Sequence, residues 1–213
     1  MKIKLQQAIL LSLATLSLGA QAQQAANLQA KIAMCIGCHG IPGYQASFPE
    51  IHKVPKISGQ GERYIANALQ AYAKGERKHP TMRGIAQSLS EQDIKDIAAY
   101  YAQQVKITAP ETVPAPSQDV AKLFERGACA SCHGTNFSKP LDPSYPKLGG
   151  QHADYLYVAL KAYHTEGNPV VGRGNAIMGA QVKQFKPAEL KQMAQYLASL
   201  DGELKTVPQS STR

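Results

Sequence analysis

Apolar positions along this chain fall at helical spacing, and they do so in two matching sets. Tyr64, Ile65, Ala68, Leu69 and Tyr72 occupy i, i+1, i+4, i+5 and i+8, the stripe of an amphipathic helix. Tyr155, Leu156, Ala159, Leu160 and Tyr163 repeat the stripe at an offset of 91. A second stripe, Ile94, Ile97, Ala98 and Tyr101, returns as Leu190, Met193, Ala194 and Leu197 at an offset of 96. Ser90 with Asp93 three residues on reads as an N-terminal cap, and Pro187 suits a first helical turn. No stretch alternates convincingly with period two. The reading is all-α, with the drifting offset absorbed in loops between helices.

Between the two sets, residues 106–117 contain Pro110, Pro114 and Pro116, a semi-rigid linker. We therefore expect one helical domain over 23–107, a linker over 108–117 and a second helical domain over 118–213. The start of the chain reads differently. Lys2 and Lys4 precede an apolar stretch from Ala8 to Ala20, and Ala20-Gln21-Ala22 follows. A basic start, a short apolar middle and small residues at −3 and −1 predict a signal peptide over 1–22, cleaved after Ala22. The stretch is too short to span a bilayer comfortably. The expected address is a bacterial periplasm.

Composition sharpens this picture in one respect. Apolar residues make up 44% and charged residues 18%, which fits a globular chain. Four Phe, ten Tyr and no Trp are few for two cores built from side chains alone. A large apolar prosthetic group would make up the shortfall. The formal charge is +8, and removal of Lys2 and Lys4 with the leader lowers it by two. An exported address makes nucleic acid an unsuitable partner for that charge.

The cysteines say which group it is. Cys35-Ile36-Gly37-Cys38-His39-Gly40 reappears as Cys129-Ala130-Ser131-Cys132-His133-Gly134, and no Cys is left over. Two thiols three positions apart suit thioethers to the two vinyl groups of one porphyrin, with the adjoining imidazole reaching the iron. A single such motif could be a redox or zinc pair. Two of them, at equivalent places in a repeat behind a leader, predict two covalently bound haem c groups.

The second axial position follows by elimination. Met1 leaves with the leader, Met34 adjoins Cys35 and cannot reach around the ring, and Met193 aligns with Ile97 as core packing. Met82 and Met178 remain, aligned at an offset of 96, each expected in a loop between two helices. The competing histidines, His52, His79, His152 and His164, have no partner in the other repeat and read as surface or hydrogen-bonding residues. A backbone carbonyl in the Pro55-Lys56-Ile57 and Pro146-Lys147-Leu148 segments is the candidate acceptor for the ligating imidazole N–H. The repeated tyrosines are candidates for porphyrin contact, or for plain core packing.

These paired motifs, the Pro-Lys-x-x-Gly-Gln segments and the positions of Met82 and Met178 resemble the dihaem cytochromes c of the cytochrome c4 family, over about Asn27 to Leu200. The resemblance implies two tandem class I cytochrome c domains related by a pseudo-twofold axis, with haem edges approaching at their interface. It implies thioethers at Cys35, Cys38, Cys129 and Cys132, axial pairs His39 with Met82 and His133 with Met178, and proline carbonyl acceptors at Pro55 and Pro146. Ser58 where the second repeat has Gly149 is a departure that touches no ligand.

Iron with both axial positions filled has no vacant site for substrate, so the sequence predicts a periplasmic electron carrier and not an enzyme. By resemblance, it would pass single electrons from a quinol-oxidising complex or small donor to a terminal oxidase or reductase. Peripheral association with the membrane is compatible with this role. The alternatives are the dihaem subunit of a flavin-dependent sulfide dehydrogenase and a dihaem peroxidase-type enzyme. Lys74, Arg77, Lys78 and Arg83 cluster around Met82 and form a candidate patch for steering an acidic redox partner.

Overall fold

The structure, a computed structural model, describes residues 27–208. The leader expected over 1–22 lies outside the described residues. A first helix, α1, covers 27–39. It is followed by strands β1 (Gln45–Ala46) and β2 (His52–Lys53), helix α2 (Glu62–Lys74), strand β3 (Arg77–Lys78), and helices α3 (Pro80–Gln87) and α4 (Glu91–Gln103). The second half runs α5 (Gln118–Arg126), α6 (Ala130–His133), α7 (Ala153–Ala162), β4 (Gly172–Arg173), α8 (Ala176–Val182) and α9 (Pro187–Ser199).

Both apolar stripes become helix faces turned inward. In the first domain α2 packs on α3 and α4, around Ile32, Ile65, Leu69, Ile94, Ile97 and Tyr101. In the second, α9 packs on α5 and α7, around Leu123, Phe124, Leu156, Leu190, Met193 and Leu197. Burying each such aliphatic side chain contributes about 1.5–3 kcal/mol against chain entropy. Ser90 and Asp93 form a reciprocal capping box on α4, and Pro187 opens α9. The repeats differ at the cysteine motifs. Repeat one carries Cys35 to His39 at the end of the continuous α1, whereas repeat two breaks after α5 at Gly127 and Ala128, where Ala128 takes a positive φ of 44°.

Short strands are the departure from a purely helical reading. β1 pairs with β2 inside the first domain, and β3 pairs antiparallel with β4 across the two domains. Two-residue strands are too short to carry an alternating pattern, so periodicity could not reveal them. The stretch 104–117 has no helix or strand and is pinned to the second domain, where Asn136 donates to the Pro110 carbonyl and Tyr196 to that of Pro114. After α9 the chain returns to the first domain, and Lys205 N–H donates to Ser58 O at 3.0 Å.

Candidate haem sites and the interface between them

Each Cys-x-x-Cys-His motif sets its imidazole against a proline carbonyl. His39 Nδ1 lies 2.9 Å from Pro55 O, and His133 Nδ1 lies 3.0 Å from Pro146 O. A carbonyl oxygen can only accept, so Nδ1 carries the proton and the lone pair sits on Nε2, available to a metal. Burial lowers the pKa of both imidazoles, against the proline hydrogen bond, and keeps them neutral as ligation requires. Burial pushes the Cys35 thiol up and the Cys129 thiol up to about 11. Such thiols are seldom ionised at neutral pH, whereas a thioether has no proton to lose and is not penalised by the same burial.

Met82 and Met178 each occupy the third residue of a short helix, α3 and α8, and not a loop. Helices of eight and seven residues span only about two turns each, too short to show a clear apolar stripe in the sequence. Both are opened by a side-chain cap. His79 Nδ1 accepts from Met82 N–H at 3.4 Å, and Asn175 Oδ1 accepts from Met178 N–H at 2.9 Å. Met82 and Cys35 pack against the same core, as do Met178 and Cys129 in the second domain. The other histidines have local work: His52 Nδ1–H donates to Glu50 O and His164 Nε2–H to Val182 O.

The interface between the domains is built from matched pairs. Gln60 Nε2 donates to Lys147 O while Lys147 N–H donates to Gln60 Oε1, at 3.0 and 2.9 Å. Gln151 Nε2 donates to Lys56 O while Lys56 N–H donates to Gln151 Oε1, at 2.9 and 3.0 Å. Lys56 Nζ donates to Gly150 O and Lys147 Nζ to Gly59 O. The pseudo-twofold relation thus reaches individual hydrogen bonds. These residues stood out in the sequence as a repeated Pro-Lys-x-x-Gly-Gln, but nothing in the string shows that each copy grips the other.

Near the same axis, Arg77 donates to the hydroxyls of Tyr64 and Tyr155, and Arg173 also donates to Tyr155. Arg77 lies over the Tyr72 ring and Arg173 over those of Tyr155 and Tyr163. The repeated tyrosines therefore frame an arginine pair. This corrects the proposed surface patch. Arg77 is enclosed and Lys78 is committed across the interface to Asn168 O, leaving Lys74 and Arg83 exposed. Spacing along the chain put these four cations together, and the β3–β4 pairing separates them.

Neither guanidinium forms an ion pair with a carboxylate among the described residues, and Arg77 Nε is buried without a hydrogen-bond partner. Tyr72, Arg77, Tyr155, Val158, Ala159 and Arg173 line an interdomain cavity that no carboxylate of the described residues enters. A buried, uncompensated cation pair is costly, and anionic groups from outside the chain would neutralise it. The two carboxylates of a haem meet that need, so the residues present fit the group.

A cytochrome c family profile matches residues 26–104 and 117–201. The chain is also 32% identical over 208 residues to cytochrome c4 of Stutzerimonas stutzeri, covering 90% of this chain and 96% of that protein. It belongs to the cytochrome c4 family. As a member of that family the chain carries two covalently attached haem c groups and transfers electrons, and it is not an enzyme. The solved cytochrome c4 from Acidithiobacillus ferrooxidans aligns with a TM-score of 0.62 at 28% identity, over 79% of this chain and 99% of that one. A protein of Thiomonas intermedia named as a thiosulfate dehydrogenase electron acceptor is 29% identical over 182 residues, 78% of each chain.

Proposed function

We propose that this protein is a periplasmic carrier in which His39 and Met82 ligate one haem iron and His133 and Met178 the other. Cys35 with Cys38, and Cys129 with Cys132, hold the two groups as thioethers. When bound, each haem takes up and releases one electron at its iron. The observation that carries the reading is the Nδ1–H donation to Pro55 and Pro146, which fixes each ring and leaves Nε2 as the ligating atom. Thioether sulfur raises the reduction potential, which suits a carrier feeding a terminal oxidase or reductase from a quinol-oxidising complex or small donor. No described helix is long and apolar enough to cross a membrane.

A second reading concerns the donor. Relatives named as thiosulfate dehydrogenase electron acceptors favour a sulfur-compound dehydrogenase in that position, close in kind to the flavin-dependent sulfide dehydrogenase. Absorption spectra of Met82→Ala and Met178→Ala test the ligation. Each should remove one of two contributions to the far-red methionine-to-iron band and lower the potential of one haem. A band unchanged in either variant overturns that assignment.

A further inference from the structure

The Pro55–Lys56 peptide joins two hydrogen bonds that belong to different domains. Its carbonyl accepts from His39 Nδ1–H, and its N–H donates to Gln151 Oε1. The Pro146–Lys147 peptide does the same in mirror order, accepting from His133 and donating to Gln60 Oε1. We propose that Gln151 and Gln60 are positioning residues that tune the haem of the opposite domain, each acting through one peptide unit on the axial histidine. The inference rests on the ligation proposed above, with His39 and His133 as ligands.

The physical link is amide resonance. A peptide N–H that donates to a good acceptor shifts electron density onto its own carbonyl oxygen, because the C–N bond has partial double-bond character. That oxygen then accepts more strongly from the imidazole, since linked hydrogen bonds polarise one another. An imidazole whose N–H is held more tightly is a stronger donor to iron and stabilises the ferric state. Gln151 also fixes the plane of this peptide, because its Nε2 binds the Lys56 carbonyl on the far side of the same residue. Gln151 and Gln60 are both buried, as such a contact requires. Because the two glutamines are exchanged between domains, each half of the molecule sets part of the other's affinity for an electron.

Gln151→Leu and Gln60→Leu, studied by redox titration resolved by haem, read this directly. Gln151→Leu should raise the potential of the haem at Cys35 and Cys38 while leaving its own domain's haem in place. Gln60→Leu should raise the haem at Cys129 and Cys132. A shift confined to the variant's own domain, equal shifts in both haems, or no shift while the far-red methionine band persists would each overturn the proposal. Absence of that band in the unmutated protein would overturn the ligation instead. If a variant does not fold, NMR of the native ferrous protein decides: a scalar coupling across the hydrogen bond from Lys56 N to the Gln151 side-chain carbonyl is expected, and its absence counts against the proposal.

Discussion

Arg77 and Arg173 stand directly opposite each other in the antiparallel β3–β4 ladder that ties the two domains together. Two like charges are held there by tyrosines, with Tyr155 accepting from both guanidiniums. Such a pairing is stable when anions share the cavity, and haem carboxylates are the anions this family brings. Electrostatics at the interface and redox chemistry are therefore one problem in this molecule.

Removing one of these cations should make both irons easier to oxidise. Arg77→Gln is expected to lower both potentials, by about 40 mV for each ~1 kcal/mol of lost charge stabilisation. Potentiometric titration at low and high salt checks it. A rise in either potential contradicts the assignment of Arg77 to the haem carboxylates.

The glycine before each clamping glutamine is required by its backbone. Gly59 has φ +84° and a Cβ there would stand 2.4 Å from Glu203 O, while the Cβ of an alanine at Gly150, φ +75°, would stand 3.1 Å from Leu200 O. Gly59→Ala should cost about 2–4 kcal/mol and Gly150→Ala less, from strain at positive φ plus the closer contact in the first case. Denaturant unfolding of the holoprotein gives both values; equal losses would remove the contact with Glu203 as the cause.

Asn175 caps the helix that presents Met178. Asn175→Ala should destabilise α8 by about 1 kcal/mol, since Met178 N–H loses its acceptor. The measurable consequence is local: the second haem should lose its far-red band at a lower temperature than the first. Simultaneous loss from both haems would mean that the cap does not matter to the methionine.

His152 gives a stability change with pH. Burial and the nearby Lys56 ammonium lower its pKa from 6.5 to about 4. The unfolded chain therefore binds the proton first as pH falls, so this contribution is present above pH 6.5 and is lost on going down toward 4. After allowance for solvent screening of this half-exposed ring, about 1 kcal/mol is involved. His152→Gln should flatten the melting temperature across that window, and a profile identical to the native one would discard the effect.

Short-range signals in the chain were enough for much of this. Thiol spacing named the prosthetic group, helical stripes named the packed faces, and the repeat named the number of domains. An acceptor somewhere in the segments at Pro55 and Pro146 was also expected, because an oriented imidazole needs a partner for its N–H, and the family resemblance named the proline carbonyls that His39 and His133 in fact meet. Elimination singled out Met82 and Met178 as the candidate ligands that the proposal uses, but the short helices that carry them were not legible.

What the chain alone determined is local chemistry: covalent attachment and helix faces, both set by residues within a few turns of one another. Folding decided the relations between the repeats. Lys56 meets Gln151, Lys147 meets Gln60, and Arg77 leaves its neighbours Lys74 and Arg83 to face Arg173. Such pairings join residues about ninety positions apart. They depend on how two buried surfaces dock about a shared axis, and no periodicity within either repeat encodes that docking.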